Sequence, residues 1–358
     1  MLVSRTAVVG MASSLFVAAA LAACSSSSSD ASSSTGGTGT GGSGAGGATG
    51  FGAVGMCYST KSQCGLPGSH CMSLVDNTST TKKTLRISQL RVTKPALLAS
   101  KPIEFSIIGP AVTWADDAAC GLSAPGKAGQ FNWLLEFDTA AKTLKTGGAK
   151  PVDDAHSGYC YVNDSFGGLA VAPIAPTPID LTDNKDGTFT FGTTQKFDIS
   201  VPIFLDKTAT KAPIVLPLKG GTIKNGTLTE GGNCIGKFKG DTLDPSTSPP
   251  CQPQTSDPTK DDAYQYTSGA TLEGYITAED ADSVIVVDLG QSLCSLLANT
   301  AMDVGGVKHC LRDTGGKLDF SKTTTPPDFS SKGDGNNDAY GLGAEVSAAG
   351  VKINDTCN

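Results

Sequence analysis

Asp183-Asn184-Lys185-Asp186-Gly187-Thr188-Phe189-Thr190-Phe191 is the stretch whose reading decides the fold. Asp186-Gly187 is turn chemistry, and behind it Phe189 and Phe191 alternate with threonines, so that every second side chain faces a core. That pattern predicts a β-hairpin. The same grammar repeats outward from it. Lys196 to Leu205 reads as a strand. Ile214 to Leu218 reads as a short apolar strand that Pro213 and Pro217 place at an edge, and Ile223 to Leu228 pivots on Asn225-Gly226, a type I′ turn signature. Upstream, Thr84 to Thr93 alternates with a phase slip at Gln89 that predicts a bulge, and Pro102 to Ile108 is a further strand. Phe131 to Asp138 and Thr143 to Thr146 bracket a polar turn and predict a hairpin.

Downstream, Thr271 to Ile276 reads as a strand, and Thr277 caps a helix start with Glu279 and Asp280 in its first turn. Val284 to Val287 favours a strand, Ser292 to Ala298 fits helix or strand, and the tail from Asp334 to Asn358 closes on a Leu/Val/Ile alternation. Short strands at intervals of roughly ten residues, with little helix between them, predict a mainly β fold. The expected architecture is a disulfide-stapled β-sandwich or related barrel with at most one or two short helices. From Asp241 to Asp262 the chain is rich in Pro, Ser, Thr and Asp, a long surface loop at which the 81–358 body could divide.

Aromatic residues make up only 6% of the chain, so its core must rely on smaller side chains that each bury less apolar area. Cysteines compensate. Setting Cys24 aside leaves ten: Cys57, Cys64, Cys71, Cys120, Cys160, Cys234, Cys251, Cys294, Cys310 and Cys357. An even number in an exported chain is a disulfide framework, and no Cys-x-x-Cys pair suggests zinc. Spacing predicts Cys234–Cys251 and Cys294–Cys310, with Cys120–Cys160 across the hairpin region. Cys357 is then expected to join one of Cys57, Cys64 and Cys71 in the loop-rich 51–80 segment, leaving the other two to pair.

Residues 1–23 have the layout of an export leader, with Arg5 ahead of a small-and-apolar run from Thr6 to Ala20. The closing Leu21-Ala22-Ala23-Cys24 resembles the lipobox of bacterial lipoproteins. The resemblance implies cleavage before Cys24 and attachment of acyl chains to that cysteine. Each buried methylene contributes about 0.8 kcal/mol, so two or three chains hold a protein durably at a membrane. Ser25, rather than an aspartate, then implies the outer membrane, with the body facing the periplasm or the cell surface. The rest of 24–50 is almost entirely Ser, Gly, Thr and Ala, a flexible tether with a reach of about 25–30 Å.

Candidate chemistry is sparse. Asp334, Asn336, Asp338 and Glu345 fall on positions one, three, five and twelve of a calcium loop and so resemble an EF-hand. Ala339 stands where the turn wants glycine, and Pro326-Pro327 replaces an entering helix, departures that favour a solvated turn. Calcium is therefore the one cofactor to test. Gly121 to Ala128 approaches a P-loop but lacks the Ser or Thr after Lys127. His156 with Asp153, Asp154 and Tyr159 reads as a turn before Cys160, and His70 and His309 stand apart from any His-x-His or His-Glu-x-x-His pattern. The acidic pairs Asp116-Asp117, Asp261-Asp262 and Glu279-Asp280 could serve a glycosidase, which needs two carboxylates across a cleft. Trp114 and Trp133 read as core, which leaves little platform for sugar stacking. The net charge of −7 argues against nucleic acid, and Thr81-Lys82-Lys83, the nearest basic patch, reads as a solvated strand edge.

Phe131-Asn132-Trp133-Leu134-Leu135, Gly158-Tyr159-Cys160, Asn233-Cys234-Ile235-Gly236, Gly274-Tyr275-Ile276-Thr277 and Ser292-Leu293-Cys294 together resemble predicted lipoproteins of myxobacteria and related bacteria. The resemblance covers most of the chain after the tether and carries no catalytic residues across. The expectation is a surface-tethered, non-enzymatic binding or structural module whose partner is a protein, matrix or glycan. The alternative is an exported, glycosidase-like hydrolase.

Overall fold

Alternation of inward apolar and outward polar residues builds one 12-stranded sheet in the computed structural model. The structure describes residues 59–60, 63–64, 71–100, 112, 129–239 (except 167, 207 and 210), 243–244, 246, 252–255, 260 and 263–355. The sheet contains β1 (Lys82–Lys94), β2 (Trp133–Asp138), β3 (Thr143–Gly148), β4 (Thr177–Pro178), β5 (Asp180–Asp183) and β6 (Phe189–Gly192). It continues through β7 (Phe197–Ile203), β8 (Ile214–Lys224), β9 (Gly226–Thr229), β10 (Cys234–Ile235) and β11 (Ala270–Thr277). Then come α1 (Ala278–Ser283), β12 (Ile285–Val286), β13 (Gln291–Ser292), α2 (Leu293–Ala298), β14 (Met302–Val304) and β15 (Val307–His309), which stand apart from the large sheet. β16 (Ala339–Gly350) returns to it.

β16 is the hub. It pairs with β1 along one side; on the other it pairs first with β11 and then with β10. From it the order runs β1–β2–β3–β4 in one direction and β10–β9–β6–β5 in the other, with β11–β8–β7 as a branch. An antiparallel bridge between Phe131 and Ile203 brings β7 back towards β2, so the sheet is a nearly closed barrel. Strands dominate, and two short α-helices stand among the described residues, as the sequence implied.

Both predicted hairpins form. Thr190 pairs with Thr182, and Leu135 with Thr146. The phase slip near Gln89 is a bulge: Gln89 pairs with Ser347 and Ile87 with Ala348, leaving Ser88 as the extra residue. This lets Leu85 and Ile87 before the slip, and Leu90 after it, all reach the same core. Ile214 to Leu218 pairs only with β7, whereas β8 engages β11 from Lys219 onward, consistent with prolines in an unshared stretch.

Ile87, Trp133, Leu135, Phe137, Phe191, Ile223, Leu272 and Val346 belong to one core cluster, and the apolar pocket that Ile87, Trp133, Leu135 and Phe191 help to line measures about 10 Å³, roughly one water. Trp133 belongs to this core, with Nε1 donating to Thr146 Oγ1. A second cluster joins Ile276, Ala281, Leu293, Leu297, Cys294, Cys310 and Tyr340 in the excursion between β11 and β16. A third, on the outer face, packs Leu134, Ala155, Tyr159 and Val351 around the Cys71–Cys234 bridge. Beside it lies Arg86, fully buried, with Nε donating to Asn132 Oδ1 (2.6 Å) and Nη2 to the Val112 carbonyl (2.6 Å).

Three expectations are corrected. Asn225-Gly226 is no hairpin turn: β8 continues to β11, whereas β9 pairs with β6 and β10. Asn225 supplies a left-handed corner (φ 51°), and Gly226 is required because a Cβ there would fall inside the Phe191 ring opposite it. Thr81 and Lys82 are exposed, and Lys82 and Lys83 pair on one side only, with β2, but Lys83 does not belong to a solvated edge. Lys83 is buried, its Nζ donating to the Asn77 carbonyl (2.7 Å), and burial pushes its ammonium below the usual lysine range. Cys234 joins Cys71 rather than Cys251, which also removes Cys71 from any pairing with Cys57, Cys64 or Cys357. Strands on both sides of the 241–262 stretch share the large sheet.

Cys294–Cys310 forms as its spacing predicts. Cys160 is disulfide-bonded as well, while its expected partner Cys120 lies outside the described residues. So do residues 1–50, Cys57, Cys251, Cys357, the 102–108 strand, the 121–128 loop, His70, Trp114, Asp116-Asp117 and Asp261-Asp262.

Candidate binding groove on the outer sheet face

β8, β11, β16 and β1 lie side by side, and their register sets outward residues in rows. One row is Thr222, Glu273, Gly343 and Lys94; a neighbouring row is Lys219, Tyr275 and Gly341. The intervening Ile223, Leu272 and Ala344 point into the core, as period-two alternation requires. Glycine at 341 and 343 leaves the floor without side chains. The result is an open depression of about 740 Å³, lined further by Phe329, Asp180, Thr193, Thr194 and Lys196. A third row, Lys224, Thr271, Glu345 and Arg91, separates it from a second depression of about 630 Å³, lined by Lys237, Tyr264, Tyr266 and Ser268. Both volumes fall within the usual range for small-molecule sites.

Charges on this face are paired, two of the pairs across strands and one from β8 to α1. Lys224 Nζ lies 2.5 Å from Glu273 Oε2, Arg91 Nη1 lies 3.3 Å from Glu345 Oε2, and Lys219 Nζ lies 2.6 Å from Asp280 Oδ2. Hydrogen bonding to Asp280 raises the Lys219 ammonium above its ordinary value. Ser268 Oγ also donates to Glu345 (2.8 Å).

The aromatic element is assembled from distant segments. Tyr275 and Phe329 stack with centroids 4.7 Å apart at 23°. Behind Tyr275 stands Gly220, where a Cβ would come within 2.8 Å of the tyrosine ring and where φ is +57°. Phe329 is 37% exposed, although its backbone is fixed: its N–H donates to the Ala339 carbonyl and its own carbonyl accepts from Asp338 and Ala339. Asp328 Oδ1 accepts from the Gly341 N–H (2.8 Å), tying the same loop to the groove floor.

The residues of the predicted calcium loop brace this aromatic loop instead. Asp338 accepts from the Ser331 N–H and Oγ (both 2.8 Å), and Asp334 accepts from the Asn336 N–H (2.9 Å) and Ser330 Oγ (3.0 Å). The backbone donors of Ser331 and Asn336 hold the two carboxyls below the usual range. Glu345 does not join them. It lies seven residues beyond Asp338 along an extended strand, roughly 20 Å away, whereas an EF-hand needs a helix there to fold position twelve back.

His156 sits in an exposed turn with Nδ1 2.9 Å from Asp154 Oδ1, while Tyr159 is buried beneath Arg86, so that constellation forms no common site. His309 Nδ1 lies 3.4 Å from buried Asp282. Asp282 also approaches the Cys294 and Cys310 sulfurs, but these are bonded to each other and offer no thiolate.

No known protein family, curated protein or solved structure matches the chain. The groove therefore rests on its own geometry. Sequence reasoning missed Phe329 and Tyr275 because 53 intervening residues separate them. The one local signal was the alternation Ala339-Tyr340-Gly341-Leu342-Gly343, which gives a strand a buried face and a bare one.

Proposed function

We propose that this protein is a lipid-anchored, non-enzymatic binding module of the outer membrane, held through Cys24 and the 24–50 tether, with the groove of β8, β11, β16 and β1 as its binding face. Set against an apolar inner pocket of about 10 Å³ lined by Ile87, Trp133 and Phe191, the observation that carries this reading is the open, polar, aromatic-bearing depression on the outer face. There Glu273, one of two acidic residues in the lining, is engaged by Lys224. The anchor is supported by the lipobox resemblance and the small-residue tether.

The full chain should be extracted from membranes and weighed intact. The mature protein should begin at Cys24 with a diacylglyceryl adduct, and Cys24→Ala should leave the membrane fraction. Detergent-solubilised protein should co-sediment with isolated cell envelope without releasing reducing ends from it. Release of reducing ends with turnover would establish the hydrolase reading, and a membrane-bound Cys24→Ala protein would remove the anchor.

A further inference from the structure

We propose that the depression floored by Gly341 and Gly343 binds a neutral glycan chain, with Phe329 as its stacking platform. The inference rests on the binding-module reading and names its ligand class.

Three features select the ligand. The platform is a column, Gly220 behind Tyr275 behind Phe329, whose last ring is 37% exposed and whose backbone is clamped to Ala339. A rigid, supported aromatic ring suits the weakly polarised C–H groups on one face of a pyranose. The charges around it are of both signs. Lys94, Lys196 and Lys224 share the lining with Asp180 and Glu273, and Asp328 and Asp198 accept from the floor amides of Gly341 and Gly220. A polyanion such as DNA needs a cationic excess, whereas a polyhydroxyl chain needs donors and acceptors together. Finally, the floor excludes a peptide added as a strand: β11 is hydrogen-bonded between β8 and β16, and β16 between β11 and β1, so no edge is open there. The depression is open rather than enclosed, which fits a chain passing over the sheet.

The test is affinity electrophoresis of full-length protein in detergent through gels containing laminarin, galactomannan, xyloglucan or pullulan, with alginate and single-stranded DNA in parallel gels. Retardation by at least one neutral polysaccharide is expected. Phe329→Ala removes an exposed ring and should weaken that retardation about tenfold or more, with Phe329→Trp restoring it. Gly341→Gln should weaken it as much by filling the floor from a position where a Cβ meets only Asp328 at ordinary contact (3.6 Å). Unchanged melting temperatures for the variants keep the comparison valid. Retardation only by alginate or DNA, equal retardation of all variants, or none by any neutral polymer would overturn the glycan site. Envelope co-sedimentation measured on the same samples separates the two claims: if it persists, the binding-module reading stands without the glycan, and if it is lost, both fall.

Discussion

Asp282 is the residue whose removal should damage the 278–338 excursion most. Its Oδ1 accepts from Ser292 Oγ and from the Cys310 N–H (both 2.8 Å), and its Oδ2 accepts from Arg312 Nη2 (2.8 Å). Ser292 Oγ in turn caps α2 by accepting from the Ser295 N–H (3.0 Å). One carboxylate thus joins α1, the start of α2 and the strand end that carries the disulfide. Asp282→Ala leaves two buried donors, on Ser292 and Cys310, each costing about 1–3 kcal/mol, whereas Arg312 keeps its exposed partner Glu279 and adds little. The expected loss is about 2–6 kcal/mol. Asp282→Asn keeps one acceptor and turns an amide towards Arg312, for a smaller loss of about 1–3 kcal/mol. Urea unfolding at neutral pH, with hydrogen exchange over 278–310, measures both. Burial works to raise the Asp282 pKa, but donation from Cys310, Arg312 and Ser292 prevails and holds it below the ordinary carboxylate value. Its stabilisation is therefore complete above the unfolded pKa, about 3.9, and is lost as pH falls through the lower folded value. The gap between wild type and Asp282→Asn should close in that acidic window. An Asp282→Ala protein within about 1 kcal/mol of wild type would refute the reasoning.

Other outcomes follow from single contacts. Gly226→Val forces a side chain into the Phe191 ring and should cost about 1–3 kcal/mol or more in urea unfolding. Loss of the Cys71–Cys234 bridge in a Cys71→Ser/Cys234→Ser protein should cost about 2–5 kcal/mol and expose 71–77 to limited proteolysis. Arg86→Met leaves the Val112 carbonyl and Asn132 Oδ1 without that donor and should cost about 2–5 kcal/mol; a stabilised variant would show that the apolar replacement outweighs them. Asp338→Ala releases the Ser331 end of the Phe329 loop, so a phenylalanine-sensitive NMR probe of that ring should broaden while the barrel core is unchanged.

Local chemistry was legible where neighbours in sequence are neighbours in space. Asp186-Gly187, the Thr277 cap and the Cys294–Cys310 spacing each act within a few residues to one loop, and each took its predicted form. Asn225-Gly226 misled because turn propensity cannot register the Phe191 ring that occupies the space beside it. In the calcium-like pattern spacing carries a geometry only if the backbone between ligands is known, and between Asp338 and Glu345 it is a strand.

Composition and alternation alone determined a mainly β protein stapled by cysteines. Those properties are sums over local preferences and need no knowledge of which strand meets which. Pairing is different. β16 gathers β1, β10 and β11 across more than 250 residues, buries Lys83 and Arg86, and brings Cys71 to Cys234. Only that closure sets Phe329 against Tyr275 above two bare glycines, because a period of two tells each strand which face is buried but not whose face lies beside it.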